Sequence, residues 1–146
     1  MTGQSALAFR PIEDGDIDGV VALWTRCGLT RPHNDPHRDI AFARGGSNAD
    51  VLVGRIGADI AAAVMVGHDG HRGTVYYVSC DPDRQGQGLG RQAMQAAETW
   101  LRACGIWKLN LMIREGNEKV QGFYEALGYE TEPRVVMSRR LDDNPL

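Results

Sequence analysis

The sequence predicts an α+β fold in which a β-α-β unit, the building block of α/β proteins, lies within a larger sheet. Segments rich in Val, Ile and Tyr alternate with segments whose apolar residues recur at helical spacing. Taken in order, these segments predict the succession β-α-α-β-β-β-α-β-α-β. The chain has 146 residues and contains no repeat or linker that would divide it, so we expect a single domain over residues 1–146.

The first part of the chain predicts one strand and two helices. The segment "LAFRP" fits a short strand that a proline ends. Apolar residues then recur at helical spacing from Ile17 to Trp24, before Gly28, and either Asp14 or Asp16 can cap this helix. The polar segment "LTRPHNDPHRD" is typical of a loop, and it leads into a short helix around "DIAFAR".

The remaining elements follow from the same patterns. The stretch "DVLVGRIGADIAAAVMVGHDGHRGTVYYVSCDP" predicts three strands of a meander, with turns at "GAD" and "GHDGHRG". A helix with one apolar face runs from Leu89 to Cys104, and Gly105 ends it. The segment "IWKLNLMIR" predicts a buried strand, a helix runs from Asn117 to Gly128, and "PRVVMSRRL" predicts a last strand. We expect Cys104 and all three tryptophans to be buried in the core.

Composition and charge exclude several classes of function. Hydrophobic residues make up 42% of the chain and charged residues 24%, as in an ordinary globular domain. The net charge of -3 and the lack of a Lys/Arg block argue against a nucleic-acid partner. We expect neither a membrane-spanning segment nor a signal peptide, because no apolar stretch approaches the required length and "MTGQSALAFRP" has no basic region followed by an apolar run. We therefore expect a protein without a membrane or nucleic-acid partner.

The cysteine and histidine patterns predict neither a disulfide framework nor a metal site. The three cysteines are widely separated, odd in number and without CxxC spacing, which favours reduced thiols in the cytoplasm. His33 and His37 are four residues apart, but Pro36 lies between them and no third ligand is close in sequence. We expect no metal and a cytoplasmic location.

The stretch "DPDRQGQGLGRQ" places Gly86, Gly88 and Gly90 at the start of a predicted helix. The unpaired N–H groups of a helix N-terminus and the positive end of its dipole favour an anion at that point. Glycine allows a phosphate oxygen to approach the backbone, and Arg84 and Arg91 could add positive charge. The sequence therefore predicts a phosphate-binding turn.

Two common phosphate motifs do not fit this turn. The dinucleotide fingerprint requires G-x-G-x-x-G, and Gly90 comes one residue too early for it. The P-loop sequence is absent from the chain. The spacing Gln85-x-x-Gly88-x-Gly90 instead resembles the coenzyme A pyrophosphate loop of the GNAT acetyltransferase superfamily.

A second signature supports the same resemblance. In "NEKVQGFYEALGYE", Asn117 is followed seven residues later by Tyr124 in a stretch similar to the "FYEKLGF" of GNAT proteins. The segments "LTRPHNDP" and "GHDGHRGTVYYVSCDP" further resemble the small bacterial YpeA-type acetyltransferases. The resemblance implies a GNAT fold, with a mixed central sheet of about six or seven strands flanked by four helices.

The resemblance also implies a reaction. A primary amine, on a small molecule, an amino acid or a protein, would attack the thioester of acetyl-coenzyme A directly in a ternary complex. The alternative is a non-catalytic module that binds or senses acyl-coenzyme A. The presence of both Asn117 and Tyr124 favours the enzyme, since a binder needs only the glycine turn.

Residue roles carry over from the family motifs onto this chain. Coenzyme A would contact the pyrophosphate turn, the strand before it and the asparagine of the second signature: Val78, Cys80, Gln85, Gly86, Gly88, Gly90, Arg91 and Asn117. At Cys80 the family usually has valine or isoleucine. Tyr124 would be the general acid that protonates the leaving thiolate.

The resemblance assigns fewer residues to the amine acceptor than to coenzyme A. The resemblance places Arg31, Asn34 and Tyr77 at the acceptor, with Arg31 favouring a substrate that carries a carboxylate. The general base stays open among Glu115, Glu118, Tyr76 and Tyr77. The last predicted strand could pair with a second copy, which would give a homodimer.

Overall fold

Four antiparallel strands form one sheet in the computed structural model, which describes residues 7–142. The strands are β1 (Phe9–Pro11), β2 (Ala49–Ile56), β3 (Asp59–His68) and β4 (Gly73–Cys80). They lie in the order β1-β2-β3-β4, so each strand pairs with its neighbour in sequence. The predicted meander is confirmed.

The helices are α1 (Ile17–Arg26), α2 (Pro36–Arg44), α3 (Leu89–Ala103) and α4 (Glu118–Ala126). Short 3-10 helices at Asp14–Asp16 and Pro82–Arg84 precede α1 and α3. The α+β class and the four helices are thus as predicted. None of the helices in the described part of the chain is both long and apolar enough to span a bilayer.

The helices of the first 112 residues cover both faces of the sheet. Successive side chains of a strand point to opposite faces, and Ala63 and Ala62 accordingly belong to two different clusters. Ala63 packs with Trp24 of α1 and Ile40 of α2, whereas Ala62 packs with Leu89 of α3. The helices therefore approach the sheet from both sides.

The chain divides into two compact units, residues 1–112 and residues 113–146. Within the described residues, the first unit contains the sheet and helices α1 to α3, and the second contains α4. The glycine turn belongs to the first unit, while Asn117 and Tyr124 belong to the second.

The predicted strand "IWKLNLMIR" is wrong over most of its length. Leu109 forms a single parallel bridge to Gly73, in which the Gly73 N–H donates to the Lys108 carbonyl and the Asn110 N–H donates to the Gly73 carbonyl, both at 2.9 Å. The segment thus runs parallel to β4 after α3, as the β-α-β unit requires. It does not extend the ladder further.

The predicted last strand is also wrong for the described residues, because residues 133–141 form no strand there. A strand needs a hydrogen-bonded neighbour, and the apolar side chains Val135, Val136 and Met137 are exposed instead of covered by one. The described sheet therefore has four antiparallel strands and one parallel bridge, where about six or seven strands of a mixed sheet were predicted.

The expected burial holds for one tryptophan and fails for another. Trp24 is fully buried, and Trp100 is half-buried. Trp107 is 76% exposed, and the Arg72 guanidinium lies 4.4 Å from the centre of its ring. Cys104 is exposed as well, because it follows the last turn of α3. Stacking of a cation on the indole, and not core packing, accounts for Trp107.

The start of α1 differs from the predicted cap. Asp16 occupies the N-cap position, but its side chain makes no capping hydrogen bond to α1. The buried carboxylate instead accepts from the Glu13 N–H at 2.9 Å, from the Arg10 guanidinium at 2.6 Å and from the Arg55 guanidinium. Asp16 therefore joins β1, β2 and the start of α1.

Candidate functional site

The glycine turn connects the end of β4 to α3. Gly86 and Gly88 have φ angles of +81° and +75°, in the left-handed region that residues with a side chain rarely adopt. A Cβ added at either position would meet no atom within 4 Å. The backbone conformation of the turn, and not a lack of space, therefore accounts for these two glycines. Gly90 differs from them, because it lies inside the first turn of α3.

The turn ends at the N-terminus of a 15-residue helix. Gly88 is the N-cap of α3, and its carbonyl accepts the Gln92 N–H at 3.1 Å. The N–H groups of the first helical residues have no acceptor within the helix, and no acidic side chain lies in the first turn of α3. These groups and the helix dipole can together bind an anion.

The two arginines beside the turn differ in their contacts. Arg84 forms ion pairs with Asp59 at 3.2 Å and with Asp81 at 3.4 Å. Asp81 also pairs with Arg26 at 2.7 Å, and its pKa is lowered first by the hydrogen bond from the Asp83 N–H and then by Arg26. The charge of Arg84 is thus balanced within the fold, while Arg91 is exposed at the start of α3.

Strand β4 carries a bulge immediately before the turn. Ala63 of β3 pairs with Ser79 and Met65 pairs with Tyr76, so Tyr77 and Val78 together stand opposite one residue of β3. In the described sheet β4 is also the last strand. Beyond its bridge at Gly73, the outer edge of β4 is therefore not covered by a described strand.

Cys80 is the last residue of β4 and contacts Cys27, the C-cap of α1. The Cys27 thiol donates to the Cys80 carbonyl at 3.2 Å, and burial raises the pKa of both thiols. Both groups are therefore kept as thiols at neutral pH, which argues against a nucleophilic role for either.

Tyr77 lies at the bulge with a φ angle of +55°. Its ring stacks on Trp24 with centres 3.9 Å apart, and its hydroxyl donates to Asp39 Oδ2 at 2.7 Å. Burial, together with Asp39, raises the pKa of Tyr77 to about 12. A phenol with so high a pKa is a poor proton acceptor at neutral pH, so Tyr77 does not suit the role of general base.

Arg31 and Asn34 shape the loop before α2. The Asn34 N–H donates to the Arg31 carbonyl at 3.1 Å. The Arg31 guanidinium donates to the Gly28 and Thr30 carbonyls at 2.8 and 2.9 Å, and both side chains are exposed. The structure thus gives Arg31 a role in the loop conformation.

In the second unit, Asn117 and Tyr124 lie on the same helix. Asn117 is the N-cap of α4, and its Oδ1 accepts the Val120 N–H at 3.3 Å. Tyr124 is buried and its ring contacts those of Phe123 and Tyr129 edge to face. Burial raises the pKa of Tyr124, which keeps its hydroxyl protonated and able to donate. Glu115 and Glu118 are both exposed.

The sequence analysis missed Asp39 and the cavity that it lines. A cavity of about 610 Å³ lies in the first unit, beside α2 and the first half of β4. Asp39 occupies the first turn of α2, where an acidic residue is usual because it complements the helix dipole. Because the helix dipole already accounts for an acidic residue there, the sequence offered no reason to expect a contact between Asp39 and Tyr77, which are 38 residues apart. No group of three His, Cys, Asp or Glu side chains within residues 7–142 could hold a metal ion.

Comparison with known proteins connects these features to one family. Residues 12–129 match the profile of the "Acetyltransferase (GNAT) family". The acetyltransferase YE1169 of Yersinia enterocolitica is 38% identical over 135 residues, which cover 92% of this chain and 96% of that protein.

Two solved structures show the same fold at lower sequence identity. AAC(6')-Iy, in complex with the bisubstrate analogue CoA-S-monomethyl-acetylneamine, superposes with a TM-score of 0.79 at 16% identity and covers 93% of this chain and 99% of its own. A protein of Clostridium acetobutylicum described as a predicted acetyltransferase and solved with acetyl-CoA superposes with a TM-score of 0.73 at 13% identity, over 91% of this chain and 96% of its own.

The glycine turn, the bulged strand before it and the Asn117–Tyr124 helix occur in a chain that matches the family profile over most of its length. These observations explain why the two spacings, taken from the sequence, resembled that family. The chain belongs to the acetyltransferase (GNAT) family and is an acyltransferase.

Proposed function

We propose that the protein transfers the acetyl group of acetyl-coenzyme A to a primary amine by direct attack within a ternary complex. The observation that carries the proposal is the turn with Gly86 and Gly88 at positive φ, which opens onto the N-terminus of α3 directly after the bulged strand β4. The coenzyme A groups in the two superposed structures support the same ligand class.

The turn is the proposed site for the diphosphate of the donor. Backbone N–H groups from Gln85 to Arg91, with Gly86, Gly88 and Gly90 between them, would donate to its oxygens. The helix dipole adds a favourable interaction with the negative charge. Arg91, which is exposed at this point, would add a positive charge.

The strand before the turn is the proposed partner for the pantetheine chain. An extended chain can add to an open strand edge through backbone hydrogen bonds, and Val78 and Cys80 lie on the part of β4 where that edge is uncovered in the described residues. Only backbone groups are needed there, so cysteine at position 80 is compatible with this role. Asn117 also stays a proposed contact, since its side-chain NH₂ group takes no part in the cap at Val120.

The chemical step follows from the nature of a thioester. The amine nitrogen attacks the carbonyl carbon and forms a C–N bond, after which the C–S bond breaks and coenzyme A leaves as a thiolate. Tyr124 is the proposed general acid for that thiolate, and its raised pKa supports this role because the phenol stays protonated. The attacking amine loses its proton to a base, for which Glu115, Glu118 and Tyr76 stay open while Tyr77 does not suit.

Calorimetry and a thiol assay together test the proposal. Acetyl-coenzyme A and coenzyme A should both bind the full chain, and a panel of primary amines should release free thiol from acetyl-coenzyme A. A lack of binding at millimolar ligand would overturn the proposed site. Binding without thiol release across the panel would indicate the sensing module instead.

We further propose contacts for the acceptor, a homodimer and a cytoplasmic location. Arg31 and Asn34 are exposed on the loop before α2 and stay candidate acceptor contacts, together with Tyr77. The exposed apolar residues between 133 and 141 support a homodimer through that segment, which light scattering would test. Three free thiols support a reducing compartment such as the cytoplasm.

A further inference from the structure

The cavity beside α2 has the dimensions of a small-molecule site. Its volume of about 610 Å³ falls within the range of roughly 300–1,000 Å³ that such sites occupy. Its walls come from α2, the paired ends of β2 and β3, the first half of β4 and residues 110–112, all within the first unit. The cavity is therefore complete within one compact part of the chain.

Asp39 differs from the other charged groups of this cavity because the side chain that contacts its carboxylate is an uncharged phenol. Its carboxylate is half-buried and accepts a hydrogen bond from the neutral Tyr77 hydroxyl, and it takes part in no ion pair within residues 7–142. A carboxylate that is partly removed from water is unfavourable without a cation nearby. Asp39 therefore offers a ligand a negative charge that no side-chain cation among residues 7–142 neutralises, although the dipole of α2 favours the carboxylate at this position.

The other charged groups of the wall already have partners. The Asp69 carboxylate accepts the N–H groups of His71 and Arg72, both at 2.8 Å. The Arg72 guanidinium donates to the His71 carbonyl at 3.1 Å and stacks over the Trp107 ring. These contacts hold Asp69 and Arg72 in the β3–β4 turn, which leaves Asp39 as the charged group best suited to a ligand.

Contacts with the core hold the Asp39 side chain in position. Tyr77, which donates to it, stacks on the fully buried Trp24 and lies at a bulge of the sheet. The carboxylate is thus oriented before any ligand arrives, and a preorganised group loses little conformational entropy on binding.

Most of the remaining surface of the cavity wall is apolar, and the cavity is open. Phe42 is 84% exposed, Met112 is 57% exposed and Tyr76 is 47% exposed, although all three are large apolar or aromatic side chains. A ligand that covered them would gain hydrophobic free energy in proportion to the apolar area removed from water. The wall therefore fits an apolar group attached to a cation.

We propose that this cavity binds the acceptor as a small arylalkyl or branched alkyl ammonium ion, whose charge is selected by Asp39 and whose apolar part covers Phe42 and Met112. This inference rests on the proposed acetyl transfer, and it names the class of amine. Asp39, positioned by Tyr77, determines specificity. The proton that the ammonium ion loses before attack passes to the base that the proposed function leaves open.

Direct binding tests the inference with matched probes. In the presence of coenzyme A, 2-phenylethylamine should bind the full chain roughly 10–100-fold more tightly than the neutral 2-phenylethanol, because hydrogen bonds to charged groups contribute about 1.5–3 kcal/mol. Methylamine, which lacks the apolar part, should bind much more weakly than 2-phenylethylamine. Equal binding of the amine and the alcohol would overturn the inference.

Substitutions test whether Asp39 and Phe42 are the residues responsible for this selectivity. Asp39→Asn preserves the shape of the side chain and should abolish the preference for the amine over the alcohol, with a raised KM for 2-phenylethylamine and a nearly unchanged kcat. Asp18→Asn removes an equal charge from a fully exposed position on α1 and should leave both values unchanged. Phe42→Ala should weaken the binding of 2-phenylethylamine but not the binding of methylamine. If Asp39→Asn fails to fold, Tyr77→Phe should still weaken amine binding without loss of the aromatic stack.

The outcomes separate this inference from the proposed function. Thiol release with other amines, but no preference for arylalkyl amines and no effect of Asp39→Asn, would overturn the inference and leave acetyl transfer intact. Stronger binding of a peptide N-terminus than of 2-phenylethylamine would also overturn it. Amine binding that depends on Asp39, without thiol release from any amine, would support the cavity and contradict acetyl transfer.

Discussion

Tyr77 adopts a backbone conformation that is unfavourable for a residue with a side chain. Its φ of +55° carries a cost of about 1–3 kcal/mol, which persists only where surrounding contacts hold the residue in place. Here the stack on Trp24 and the hydrogen bond to Asp39 provide those contacts. Tyr77 thus connects the bulge and the core to Asp39 of the cavity wall.

Tyr124 gives the most direct test of the chemistry at a single position. Tyr124→Phe removes only the hydroxyl and should lower kcat by about 100-fold or more if that hydroxyl is the general acid. The affinity for acetyl-coenzyme A should be nearly unchanged, since the ring and its packing are retained. Steady-state kinetics with a good acceptor and calorimetry would measure the two quantities.

Tyr129→Phe is the matched control for this substitution. Tyr129 lies in the same unit and its ring packs against that of Tyr124, so the change removes another phenol hydroxyl from the same surroundings. It should leave kcat nearly unaltered. Full turnover by Tyr124→Phe would remove Tyr124 from the mechanism.

Helix α3 and the turn before it show why three glycines alternate in the sequence. Gly86 and Gly88 supply the two left-handed conformations that bring the chain from the 3-10 helix into α3. Gly90 already has helical conformation, so it is not required by the backbone in the same way. A single repeating pattern in the sequence thus combines two different structural roles.

Substitution of Gly88 should affect both stability and donor binding. Gly88→Ala places a Cβ on a left-handed residue and should lower the free energy of unfolding by about 1–2 kcal/mol. It should also weaken acetyl-coenzyme A binding, because the N–H groups of the turn would shift. Denaturant unfolding and calorimetry would measure the two effects.

Gly57→Ala separates backbone strain from ligand binding. Gly57 has a φ of +61° in the turn between β2 and β3 and, like Gly88, has no atom within 4 Å of an added Cβ. The substitution should destabilise the protein by a similar amount and leave acetyl-coenzyme A binding intact. Equal loss of binding in both variants would show that the turn has no special role.

The stability of the molecule as a whole depends on pH through buried carboxylates. The Arg10 guanidinium, supported by Arg55, holds the pKa of Asp16 far below its usual range despite burial. Since the folded state binds the proton less readily than the unfolded state, Asp16 contributes stability that is fully present above the unfolded pKa of about 4. That contribution is lost as the pH falls from there through the folded pKa.

Asp16→Asn should therefore lower the free energy of unfolding at neutral pH by at least about 1.5–3 kcal/mol, the contribution of one hydrogen bond to a charged group, because the guanidinium groups of Arg10 and Arg55 lose their carboxylate partner. As the pH falls from the unfolded pKa through the lower folded pKa of Asp16, the stabilities of the variant and the native protein should converge. Urea unfolding across this pH range would measure the difference. Asp14→Asn, at an exposed ion pair with Arg44, should change stability little at any pH, and a comparable effect there would contradict the assignment.

The chain's local patterns predicted most of the elements but fewer of the strand pairings. The meander, the four helices and the turn before α3 follow from residues adjacent in sequence. The segments 106–114 and 133–141 have strand-like composition, yet strand formation needs a neighbour in space, and in the described residues only Leu109 has one. The prediction that Trp107 is in the core was wrong because it considered only the neighbouring residues in sequence. The indole instead contacts Arg72, which lies in the distant turn between β3 and β4.

Sequence spacing alone was sufficient for the family and for the positions of the glycine turn and of Asn117 and Tyr124, since each motif is short and lies within one continuous stretch of the chain. The pairing of Asp39 with Tyr77, the stack on Trp24 and the cavity beside them became evident only in three dimensions. Those contacts join residues from α1, α2 and β4, and the packing of helices on a sheet brings them together without any regular spacing along the chain. The donor site that we propose therefore follows from spacing in the sequence, whereas the acceptor cavity that we propose depends on the folded arrangement.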